Sequence, residues 1–142
     1  MIRSAYQQLA LVDTSAVVAL HDPNDQFHVA ARHFFSVESG LAWGAVNVTT
    51  HECYTHVRYR ASFEAAMEHY DFMRCPMIRL LEFVPDDERA AESLLRRYAE
   101  HPISYHDALC AAVMLRLGIY RIFTFDHHFS IFGFEVLPGS LA

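Results

Sequence analysis

Short apolar runs ending at acidic or turn residues, each followed by a helix-patterned stretch, are the feature that most restricts this chain. "LALV" leads into Asp13 and then "TSAVVALHD", where Thr14 or Ser15 can cap a helix. "LAWGAVNV" is followed by "TTHECYTHVRYR", "MIRLLEFV" by "DDERAAESLLRRYAE", and "IYRIFTF" by Asp126. Further helices are predicted around Phe27–Phe35 and over residues 62–75. "SYHDALCAAVMLRLG" reads as a long helix with Ser104 at its cap and Gly118 at its stop, and Asp86 or Asp87 caps the helix before it. "FEVLP" closes the series as a short strand. Strands that alternate with helices imply an α/β fold, with a parallel sheet covered on both faces.

In such sheets, sites form beyond the carboxyl ends of the strands. Four acids fall there: Asp13 after the first strand, Glu52 early in the helix after the second, Asp107 in the first turn of the long helix, and Asp126 after "IYRIFTF". Each alone has a structural explanation as a capping or turn residue. Gathered in one pocket they repel by about 3 kcal/mol per pair at roughly 5 Å and an effective dielectric near 20. A hard divalent cation offsets that repulsion, and carboxylate oxygen suits Mg²⁺ or Mn²⁺.

Composition narrows the chemistry. The 142 residues suit a single domain spanning 1–142, and no apolar run reaches the length of a membrane span, so a soluble, cytoplasmic protein is expected. The three cysteines are too widely spaced for a zinc knuckle or a disulfide framework. A net charge of −6 provides no overall attraction for nucleic acid, so any such binding must be local. There is no lysine; the 11 basic residues are all arginine. A phosphoacceptor receiver domain, which needs a lysine, is thereby disfavoured. His51 and His56 stand five residues apart, about 140° around a helix, so "HECYTH" is not a zinc-binding HExxH pair. His106, His127 and His128 read as loop or packing residues. Phe34, Phe35, Phe72 and Phe83 fall in core-patterned segments, which leaves Tyr59 and Tyr105 as candidates for base stacking.

"VDTSAVVAL", "DPNDQFHVAA", the glutamate of "TTHECYTHV", "ISYHDALCAAVMLRLG" and "IFTFDHHFSIFGFEVLP" together resemble, in order, the signature segments of PIN-domain nucleases, especially the VapC-like toxins of toxin-antitoxin pairs. The resemblance implies a three-layer α/β/α sandwich with a central, mainly parallel sheet. It also implies that Asp13, Glu52, Asp107 and Asp126 form an acidic set that binds Mg²⁺ or Mn²⁺ to hydrolyse RNA, leaving a 3′-hydroxyl and a 5′-phosphate. Thr14 and Thr124 flank these acids and are candidates to support them, and Arg58 and Arg60 are candidate RNA contacts. A cognate antitoxin and a homodimer are further implications of the family. The first eight residues extend beyond its usual start and suggest no chemistry. A PIN-like module that binds RNA or protein without cutting is the alternative.

Overall fold

The computed structural model describes residues 5–38 and 40–139. Residues 1–4 of the N-terminal extension lie outside the described residues. Five strands, β1 (Leu9–Val12), β2 (Ala42–Val46), β3 (Ile78–Leu81), β4 (Arg121–Phe123) and β5 (Glu135–Leu137), form one sheet in the order β3-β2-β1-β4-β5. Every pairing is parallel. The helices are α1 (Thr14–His21), α2 (His28–Val37), α3 (Asn47–Arg60), α4 (Phe63–Met73), α5 (Pro85–Arg97) and α6 (Tyr105–Leu117). A 3₁₀ helix over His127–Phe132 precedes β5.

The layers follow from the two-residue period of the strands. Ala10 and Val12 of β1, Trp43 and Ala45 of β2 and Phe123 of β4 point to one face, where they meet Ala16, Val17, Cys53 and Met73. Leu9, Leu11, Val46 and Ile122 point to the other and pack on Cys110, Val113 and Met114 of α6. Both faces are therefore covered, giving the expected three layers. Gly44 allows this close approach: a Cβ there would lie 2.6 Å from Leu9 Cδ2 and 3.3 Å from the Arg79 carbonyl, so Leu9 would have to shift.

Helix α6 is buried continuously from His106 to Met114 because α5 covers the side turned away from the sheet, through Ala91, Leu109 and Ala112. Its ends match the sequence pattern: Ser104 Oγ accepts the Asp107 N–H at 3.0 Å, and Gly118 adopts φ 74° at the stop. Two boundaries differ from expectation. The strand "LAWGAVNV" ends at Val46, and α3 begins at Asn47, so Val48 packs in the first helical turn among core residues beside α6. Helix α5 begins with Pro85 at its first position, where a missing N–H is harmless, and Asp87 sits in the first turn, accepting the Val84 N–H at 2.8 Å. Neither Asp86 nor Asp87 is the cap residue. No helix among the described residues is long and apolar enough to cross a membrane.

Candidate active site

The order of the sheet reverses direction at β1: the chain goes first to β2 and β3 on one side, then to β4 and β5 on the other. A cleft of about 510 Å³ opens beyond the carboxyl ends of β1 and β4, where such a reversal leaves space between diverging connections. Asp13, Glu52, Asp107 and Asp126 all line it. Asp13 follows β1 directly and occupies the cap position of α1, its N–H bonded to the Phe123 carbonyl across the sheet. Glu52 projects from the second turn of α3, Asp107 from the first turn of α6, and Asp126 caps the 3₁₀ helix by accepting the His128 N–H at 2.9 Å.

Hydroxyl groups orient two of the acids. Thr124 donates to Asp13 Oδ2 at 2.9 Å, and its oxygen accepts the Asp126 N–H at 3.0 Å, so one side chain joins the β1 and β4 termini. Thr14 donates to Glu52 Oε1 at 2.7 Å. Ser15, which the sequence suggested only as a helix cap, donates to Asp13 at 3.3 Å and accepts the Phe125 N–H at 2.9 Å.

Imidazoles touch the other faces of the acids, in contrast to the expected packing role. His106 Nδ1 lies 3.1 Å from Glu52 Oε2 and 3.2 Å from Asp107 Oδ1, while its Nε2 lies 2.8 Å from the Thr49 hydroxyl. His128 Nδ1 lies 3.0 Å from Asp126 Oδ1. Potential ligand atoms fall into two groups, Asp13 with Glu52 and His106, and Asp107 with Asp126 and His128; within each, the atoms lie within 4.8 Å of one another. His127 is exposed and joins neither group.

Burial comes first in the electrostatics of the site, and the crowding of negative charge second. Burial, then the charge of Asp107, raises the Asp13 carboxyl from 3.8 to about 6, against the lowering effects of His106 and the Thr124 bond. Burial acts to lower His106, but its contacts to Asp107 and Cys110 and the charge of Glu52 outweigh this and raise it to about 11. Cys53, beneath the cleft, is pushed up to about 12 by burial and by the charges of Asp13 and Glu52, and so stays an inert thiol.

The two arginine candidates part company. Arg60 lies against His56 and lines a cavity of about 400 Å³ that shares Val18 and His56 with the acidic cleft. Arg58 lines a separate cavity with Tyr54, Thr55 and Tyr59.

Residues 10–135 match the model of the PIN domain family. This chain belongs to the PIN domain family. It is 30% identical over 131 residues to the 23S rRNA-specific endonuclease VapC20 of Mycobacterium tuberculosis, in each of two strains, covering 92% of this chain and 99% of the relative. The crystal structure of Mycobacterium tuberculosis VapC20, described as a sarcin-ricin-loop-cleaving toxin, superposes with a TM-score of 0.82 at 28% identity over 89% of this chain and 95% of that one. VapBC2 of Rickettsia felis bound to a DNA fragment from its promoter (TM-score 0.64, 11% identity, 90% of this chain and 96% of that one) shares the PIN fold. So does a toxin-antitoxin complex from Klebsiella pneumoniae (0.59, 13%, 82% and 86%). The VapC-like resemblance read from the sequence holds over nearly the whole chain.

Proposed function

We propose that this chain, a single PIN domain, is a divalent-metal-dependent endoribonuclease, the toxin of a VapBC-type pair, and that it acts on 23S ribosomal RNA. The observation that carries this reading is the convergence of four carboxylates from four separate segments in one cleft at the sheet reversal. The relationship to VapC20 supports the choice of RNA class.

The donor set suits a hard cation. Carboxylate oxygens dominate, and burial, followed by the charge of Asp107, raises the Asp13 pKa, so a compensating positive charge is favoured. Asp13, Glu52, Asp107 and Asp126 would hold Mg²⁺ or Mn²⁺. When bound, the cation supplies the Lewis acidity that activates water and stabilises charge developing on the scissile phosphate.

The chain's own groups have distinct duties. Thr124 and Thr14 fix the rotation of the Asp13 and Glu52 carboxylates, so that their lone pairs converge without reorganisation during the reaction. The Asp126 carboxylate is set by the His128 backbone N–H at the start of the 3₁₀ helix. Arg60, at the edge shared with the neighbouring cavity, offers a guanidinium to a phosphate beyond the scissile bond, where it offsets the negative field of the cleft. Hydrolysis in line leaves a 3′-hydroxyl and a 5′-phosphate. A cognate antitoxin restrains the activity, and a homodimer in the cytoplasm is the working form.

The test is incubation of purified protein with ribosomes and with total RNA, in Mg²⁺, Mn²⁺ or EDTA, beside folded Asp13→Asn and Asp107→Asn variants. Metal-dependent cuts in 23S rRNA that vanish in both variants are expected. Mn²⁺ binding without cleavage of any RNA would instead identify a silent binding module.

A further inference from the structure

One buried side chain behind the acids has no part in the proposed hydrolysis. His106 is only 9% exposed, yet its ring touches two of the four acids and the buried hydroxyl of Thr49, which shares α3 with Glu52. Glu52 and Asp107 come from different helices, α3 and α6, and like charges this close separate unless something joins them. The facing Nδ1 partners are both carboxylates, which accept but do not donate when ionised, so Nδ1 carries the proton. Nε2 meets the Thr49 hydroxyl, which can accept or donate, so the ring keeps its orientation in either protonation state. A ring held at its far nitrogen and shared between two carboxylates at its near one fixes both carboxylates relative to each other.

We propose that His106 is a positioning residue that sets the spacing and rotation of the Glu52 and Asp107 carboxylates for the divalent cation. The inference rests on the reading of the cleft as a metal-dependent nuclease site. Groups that orient ligands in this way change metal affinity by about 10- to 100-fold when removed.

Three variants of the full chain separate positioning from packing. In His106→Asn the amide nitrogen replaces Nδ1, keeping the carboxylate contact and dropping the bond to Thr49. In His106→Gln a polar atom replaces Nε2, keeping Thr49 and dropping the carboxylates. His106→Leu drops both. Mn²⁺ binding is read by electron paramagnetic resonance of the free ion, folding by thermal unfolding, and cleavage of 23S rRNA as separate kcat and KM. Positioning predicts Asn within about threefold of the wild-type Mn²⁺ affinity and Gln about 10- to 100-fold weaker, with a matching loss in kcat and an unchanged KM. Leu, where it folds, should follow Gln. Wild-type affinity in Gln, or a loss in Asn that Gln repairs, overturns the inference and leaves the nuclease reading intact. Failure of the wild-type chain to bind Mn²⁺ overturns both.

Discussion

Thr124 and Asp13 are separated by 111 residues in the chain, yet the threonine hydroxyl lies 2.9 Å from the aspartate Oδ2. The hydroxyl is buried and also accepts the Asp126 N–H, so Thr124→Val removes a donor and an acceptor from two acids at once. A loss of about 1–2 kcal/mol in stability is expected, with a roughly tenfold weaker Mn²⁺ affinity. Thr124→Ser should restore most of both. Denaturant unfolding and Mn²⁺ titration check the pair; a valine variant that binds Mn²⁺ as tightly as the wild type would remove Thr124 from the machinery.

Asp13 places function and stability in opposition. Its folded pKa of about 6 lies above the ordinary 3.8, so the folded chain holds this proton more tightly than the unfolded one. Its contribution to metal-free stability is therefore present below about pH 4, is lost as pH rises to about 6, and stays lost above that. A shift of that size corresponds to about 3 kcal/mol. Asp13→Asn should make the metal-free protein more stable at pH 8 by up to that amount, leave it unchanged near pH 4, and abolish cleavage. Unfolding curves at the two pH values in EDTA decide the matter: equal stability of both proteins at pH 8 would show that Asp13 carries no such burden.

Arg60 and Arg58 should separate in their response to salt. Arg60→Ala is expected to raise the KM for RNA and to lower the magnitude of the salt slope of binding by about one, because one phosphate contact is lost. Arg58→Ala, in its separate cavity, should leave both quantities near wild type. Filter-binding with a catalytically silent Asp107→Asn background, across a range of KCl concentrations, makes the comparison. Equal effects from the two variants would refute the path past Arg60.

Away from the cleft, Arg116 grips the buried Asp87 with Nε 2.8 Å from Oδ1 and Nη2 2.9 Å from Oδ2, tying α6 to the start of α5. The pair holds Asp87 below the usual carboxylate range: burial raises it, but the Arg116 bond, the Val84 N–H and the arginine charge prevail. Arg116→Leu leaves a buried carboxylate without its cation and should cost about 2–4 kcal/mol. Arg116→Lys should recover only part, since an ammonium does not make the paired contact. Thermal unfolding at pH 7 measures both. Near-equal melting temperatures for Leu and wild type would mean that Asp87 is satisfied by the Val84 N–H alone.

Much of this architecture was legible because period and punctuation are local. The apolar run of β1 ending at Asp13, the Ser104 cap and the Gly118 stop each follow from neighbouring residues. The meeting of the four acids was legible from the alternation of strands and helices and the family pattern together. Rotational phase was harder to read. His106 looked like a packing residue, since nothing in "SYHDAL" shows that its ring faces Glu52 and Thr49 from another helix. The separation of Arg58 from Arg60 was available in principle, because two residues along a helix rotate by about 200°. The 3₁₀ helix over His127–Phe132 had no periodic signal of its own; it is stabilised by the Asp126 cap and by Phe129 packed beneath it.

The position of β1 at the middle of the sheet also sets a timetable for synthesis. Until β4 has left the ribosome, β1 has one open edge, Asp13 has no Thr124, and Asp126 has yet to be placed. A growing chain can carry Asp13, Glu52 and Asp107 and still possess no working cleft. On the proposed function, a chain that stops short of β4 lacks both Asp126 and the Thr124 hydroxyl that orients Asp13, and so lacks part of the acid set itself.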